Sequence, residues 1–179
     1  MPKQFAKPSL IVAAAVLGVV AALLVGVGAA ATSINSANAP NGTHFKSGTA
    51  SCTVTASGVS CSGYTLAGVG NTNATAALTA TYTATVVCVN NGDNTSDSQH
   101  QGSFTSSTGP VPLHPSKNGN LSVPSLAATA PTAADFLAQQ SCPNPNWTPT
   151  LGSGITLSSF TYTLTFAGFS SPYITITGP

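Results

Sequence analysis

Few residues in this chain can do acid–base, nucleophilic or metal chemistry. The carboxylates are Asp93, Asp97 and Asp135, the histidines are His44, His100 and His114, and neither Arg nor Glu occurs anywhere. The densest group lies within eight positions, where Asp93, Asn94, Ser96, Asp97 and His100 bring carboxylate, amide, hydroxyl and imidazole together. Hard cations such as Ca²⁺ take oxygen ligands of this kind, which makes Asp93, Asp97 and His100 the metal-ligand candidates. The run D-N-T-S-D does not have the EF-hand spacing, and a water-exposed polar loop explains the same residues. The reading adopted is therefore no metal and no cofactor. Zinc is disfavoured because there is no C-x-x-C and no histidine pair at ligand spacing.

Nucleophilic catalysis is equally poorly supplied. No G-x-S-x-G elbow occurs, and each histidine falls in a stretch that reads as loop or edge, so three solvated histidines are expected in place of a triad. The paired carboxylates of a glycosidase would have to come from three aspartates, of which Asp135 reads as a helix cap. The expectation is a protein that is not an enzyme, with a secreted hydrolase as the distant alternative. Trp147, between Asn146 and Thr148, supplies a different chemistry: an exposed indole stacks on sugar rings while neighbouring amides and hydroxyls bond their edges. That makes a carbohydrate-binding module the nearer alternative. The competing reading is a core or loop-plugging tryptophan, given its large apolar surface.

The elements that would position these residues follow from composition. Lys3 and Lys7 precede an uncharged stretch with an apolar block at residues 10–31 that ends in small residues, the order of a secretory signal peptide. Ala29-Ala30-Ala31 is preferred as the cleavage site over Ala37-Asn38-Ala39, where Pro40 would follow the cut bond. The block is also long enough to serve as a retained anchor. Residues 32–49 have no periodicity and read as a flexible spacer, and residues 50–179 as one domain. After residue 31 the charges are Lys46 and Lys117 against three aspartates, a net of 2 − 3 = −1. With no basic patch, nucleic acid is excluded as a partner, and a membrane is met only through residues 10–31. The partners that remain are a cell-wall polymer, a glycan or another surface protein, and the place expected is secreted or at the cell surface.

Residues 74–89 carry the clearest pattern. Ala74, Ala76, Leu78, Ala80, Tyr82, Ala84, Val86 and Cys88 alternate with a row of threonines, a period of two that buries one face and turns hydroxyls to water. At this length a bend or bulge is expected near Ala76-Ala77. Phe160, Tyr162, Leu164 and Phe166 repeat the pattern and should share the same core, with residues 173–177 as hairpin partner. Residues 90–102 read as a polar loop. Asn118-Gly119 is a turn signal expected to fold residues 111–117 onto 121–126. Thr132 to Asp135 has the spacing of a capping box and predicts a single short helix. Seven or eight strands and one helix argue for an all-β, antiparallel two-sheet sandwich of immunoglobulin-like kind, with a barrel as runner-up.

Four cysteines in an exported chain read as two disulfides. If residues 52–55 and 58–61 form a hairpin, pairing Val54 with Val59 sets Cys52 opposite Cys61 within bonding distance, which leaves Cys88 for Cys142. The leader, the strand closing in V-V-C-V-N-N-G, the later C-P-N-P-N-W-T and the final I-T-L-S-S-F-T-Y-T-L-T hairpin together resemble small secreted β proteins of actinomycetes that have no characterised role. That resemblance covers residues 50–179 and implies no activity, cofactor or ligand. The functional expectation is a secreted or surface-held structural or interaction domain.

Overall fold

Threonine and other β-branched residues favour the pleated conformation, and the alternating runs do form strands. The computed structural model describes residues 30–90, 92 and 95–179, and among them the chain is mostly antiparallel β with one short helix. The leader expectation therefore falls almost wholly outside the described residues.

The central strand is β6 (Ala74–Val89). One of its edges pairs with β7 (Thr95–Leu113). The other edge pairs first with β11 (Thr156–Phe166), over residues 74–83, and then with β10 (Thr148–Leu151), over residues 86–89. The sheet continues through β12 (Ile174–Gly178) to β1 (Ala31–Ile34). Two smaller sheets, each of three strands, face it. One joins β2 (His44–Ser47), β5 (Tyr64–Ala67) and β8 (Leu121–Val123). The other joins β3 (Cys52–Thr55), β4 (Gly58–Cys61) and β9 (Leu126–Thr129). One hydrophobic cluster draws on all three sheets: Leu78, Tyr82, Tyr162, Leu164 and Ile176 from the large sheet meet Val59, Leu66, Leu121 and Ala128 from the small ones.

The even face of β6 does not stay in that cluster. Ala84 and Val86 belong to a second, smaller one around Phe136 of α1 (Ala133–Ala138), with Phe104, Leu137, Leu151 and Ile155 at its margin. The helix begins on the expected capping box, in which Thr132 and Asp135 exchange side-chain and backbone hydrogen bonds. The expected irregularity near Ala76-Ala77 is present as a register shift between Ala76 and Leu78, but the extra residue sits on β7. It falls at Gly109, whose φ of 105° and closeness to the Ala76 carbonyl (2.7 Å from where a Cβ would stand) require glycine.

Three expectations are corrected. Residues 32–49 are not an aperiodic spacer, because β1 pairs with β12 and β2 with β5, and a mixed Ser/Asn/Gly composition does not reveal pairing with a distant strand. The polar loop at 90–102 is much shorter than expected, because Thr95 onward is strand, satisfied by the backbone of β6. The turn at Asn118-Gly119 forms, closed by Gly119 N–H to the Ser116 carbonyl at 2.9 Å, but the chain beyond it pairs with β5 and β4 and not with residues 111–117. Twelve strands are found among the described residues, more than the seven or eight expected, because several are only four residues long.

Candidate functional site

The outward face of the large sheet is built from the odd positions of β6 and their register mates. Thr79 stands between Thr161 and Ser107, and Thr161 in turn beside Thr177. Thr81 stands between Ser159 and Thr105, and Thr83 between Thr156 and Ser103. Ala77 interrupts its own row, but Thr163, Thr175 and Ser33 continue it outward. None of the residues in these rows is charged, and most are exposed or half-exposed. Thr and Ser hydroxyls each donate and accept, and β-branching holds the threonine χ1 in few rotamers, so the rows form a stiff grid of two-way hydrogen-bonding groups.

The grid ends in a hollow of about 210 Å³ lined by Asn73, Thr75, Pro112, His114, Thr165 and Phe166 among others. Three strand ends make it. Thr75 of β6 is opposite Pro112 of β7 on one side and Thr165 of β11 on the other, and buried Leu113 and Phe166 lie on either side of Ala74. Past the strand ends, His114 Nδ1 and Asn73 Oδ1 are 3.1 Å apart, and the Asn73 carbonyl accepts from Ala167 N–H at 2.8 Å. With Nδ1 donating to Asn73, the His114 Nε2 is left as an acceptor toward solvent.

The sequence candidates are dispersed. Asp93 lies outside the described residues, and Asp97 and His100 lie on β7, in strand and not in loop. His100, half-buried opposite Val86, lines a broad depression of about 490 Å³ with Gln139, Gln140, Ser141, Cys142 and Pro143. Among the described residues no three His, Cys, Asp or Glu side chains come together as a metal set. His44 bonds through Nδ1 to the Gly42 carbonyl at 2.8 Å, and His114 to Asn73, so neither meets a carboxylate. Asp135 is engaged by Thr132, whose hydroxyl and then backbone N–H hold its carboxyl below the ordinary range.

Trp147 is half-buried in the turn before β10, its backbone N–H donating to the Asn144 carbonyl at 3.0 Å. It belongs to neither hydrophobic cluster, and the close ring pairs among the described residues are Phe45 with Tyr64 and Phe166 with Tyr173. Trp147 is thus neither a core plug nor half of an aromatic platform. All four tyrosines are buried, and Tyr64 and Tyr162 meet hydroxyl to hydroxyl at 2.8 Å across the core. Burial raises both phenols, Tyr64 the more strongly, while the hydrogen bond from Tyr64 partly offsets the effect on Tyr162.

Both disulfides pair as the hairpin geometry predicted. Cys52 faces Cys61 with Val54 opposite Val59, and Cys88 bonds Cys142. The hollow at His114 was missed by sequence reasoning because its walls come from three segments widely separated along the chain. Only the threonine row hinted at it. No helix among the described residues is long and apolar enough to cross a membrane. No protein family, curated protein or solved structure matches this chain.

Proposed function

We propose that this is an exported, non-enzymatic binding domain of the cell exterior, an immunoglobulin-like sandwich whose hydroxyl grid lies against a neutral, polyhydroxylated cell-wall polymer. The observation that carries the reading is the in-register, uncharged rows Thr177–Thr161–Thr79–Ser107 and Ser159–Thr81–Thr105. A glycan surface is likewise made of groups that both donate and accept, so each contact exchanges water bonds for equivalent ones. Threonines already restricted at χ1 lose little freedom on contact, and without charge there is no like-charge repulsion or salt screening to overcome. Two disulfides and a basic-then-apolar leader fit an extracellular place.

The test is retention of the chain on insoluble neutral polysaccharides and on purified cell wall. The wild-type chain is expected to be retained equally at low and high salt, and the Thr79→Lys/Thr161→Lys variant to pass through. Both positions are exposed but opposite one another on paired strands, so the two lysines repel and should lower stability by no more than ~1 kcal/mol without unfolding the domain. Unchanged retention by that variant would overturn the reading.

A further inference from the structure

The hollow at the end of the grid differs from the grid itself. Its floor and one wall are apolar, from Leu113, Phe166 and Pro112, while its rim is polar, from His114, Asn73, Thr75 and Thr165. Nothing lining it carries a fixed charge, which selects against phosphate, carboxylate and ammonium ligands. At ~30 Å³ per water the space equals about seven waters, and a cavity of ~150 Å³ already accepts a benzene ring. The ligand class that matches is a six-membered ring with an apolar face, a hydroxylated edge and no charge.

We propose that this hollow is a subsite for a single neutral pyranose ring, the terminal or branch unit of the polymer on the grid. The choice of ligand rests on the reading of the grid given above. The ring seats its carbon–hydrogen face on Pro112, Leu113 and Phe166. Its hydroxyls reach the His114 Nε2 acceptor, the Asn73 side-chain N–H₂ and the Thr75 and Thr165 hydroxyls. The subsite is preformed, because the Asn73–His114 bond and the Ala167 N–H to Asn73 carbonyl bond fix the rim without ligand. Two or three net hydrogen bonds with modest apolar burial correspond to about millimolar affinity.

The experiment is an amide chemical-shift titration of the full chain, kept soluble in a detergent without sugar groups. The probes are the methyl pyranosides of glucose, mannose, galactose and N-acetylglucosamine, with methyl glucuronide as the charged control. At least one neutral glycoside is expected to shift residues 73–75, 112–114 and 165–167 saturably, and the glucuronide not to. His114→Ala should weaken that binding about tenfold. Ala167→Phe, which fills the hollow from an exposed turn, should abolish it while leaving the unfolding midpoint in place. The proposal is overturned if no neutral glycoside moves these signals, if the glucuronide moves them equally, or if both variants titrate like wild type. Polymer retention separates the two ideas. Retention that needs Thr79 and Thr161 beside a silent hollow removes the subsite alone, whereas a titrating hollow in a chain that no polymer retains removes the grid reading alone.

Discussion

The even face of β6 is buried twice, by different means. Over residues 74–82 its small side chains, mainly alanines, let β6 lie against the large residues of β11 and of the two smaller sheets, so burial is shared among many partners. Over residues 84–88 the same alternation continues, but the cover is one aromatic, Phe136, from a six-residue helix, with a disulfide from Cys88 to Cys142 just beyond. One uninterrupted sequence pattern thus specifies burial without specifying what does the burying. The layered end gains stability from area, whereas the helix-covered end rests on one fully buried aromatic, a few half-buried neighbours and a covalent tie. Few buried partners mean a low cost of local opening, so the two ends should separate under perturbation.

The largest effects should come from the clusters themselves. Leu78→Ala or Leu164→Ala should cost about 2–5 kcal/mol of global stability in urea unfolding, and Thr81→Ala, on the outward face, under about 0.5. Phe136→Ala also opens a cavity, but it should appear mainly as faster amide exchange at residues 84–89 and 99–103, with a smaller shift of the midpoint. Equal global losses for Leu164→Ala and Phe136→Ala would erase the distinction between the ends.

The disulfides sharpen it. By chain entropy the bridge closing 54 residues should contribute about 4 kcal/mol and the one closing 9 residues about 3. Replacing Cys88 and Cys142 by alanine should therefore lower the thermal midpoint more than replacing Cys52 and Cys61. The opposite order would mean that the hairpin bridge, and not the tie at the helix-covered end, is the critical one.

A smaller effect is confined to the layered end. Tyr64→Phe or Tyr162→Phe alone strands a buried hydroxyl and should cost about 1–3 kcal/mol, while the double variant should cost less than the sum, as a double-mutant cycle would show. Because burial raises both phenols, their contribution is complete below the unfolded value near 10 and declines as pH rises from there toward the folded values. A shallower alkaline unfolding limb in the double variant is the expected observation, with the part due to Tyr82 and Tyr173, also raised by burial, remaining.

The smallest effect belongs to the helix-covered end. Thr132→Ala removes the cap and should cost about 1 kcal/mol. The Asp135 carboxyl is lowered, so its share is present above the unfolded value of about 3.9 and is lost as pH falls through the folded one. Acid should accelerate exchange around Phe136 before it reaches the layered core.

Local rules served well where they were sufficient. The hairpin at Val54 and Val59 with its Cys52–Cys61 bridge, the capping box at Thr132 and the pairing of the strand at 160–166 with 173–177 follow from spacing, and Cys88–Cys142 from elimination. What spacing does not encode is the partner of a short strand. Residues 121–123 and 126–129 pair with strands laid down over fifty residues earlier, and His44 to Ser47 carries no alternation that would mark it as strand. The candidate site shows the same division. The hydroxyl row of β6 could be read directly, but its extension through Ser159, Thr105 and Thr177 and the hollow beside His114 exist only once register is known.

The pairing of β1 with β12 has a consequence in time. Ala31 is opposite Thr177, a separation of 177 − 31 = 146 residues, so the first described strand is the partner of the last. The edge pairing of the large sheet therefore waits until residues 174–177 have been made, however early β6 and β7 find one another. Folds dominated by such long-range pairs form slowly, typically in milliseconds to seconds. The outermost pair of the large sheet is thus also its longest-range one, formed after the pairings confined to residues 52–129 can already be in place.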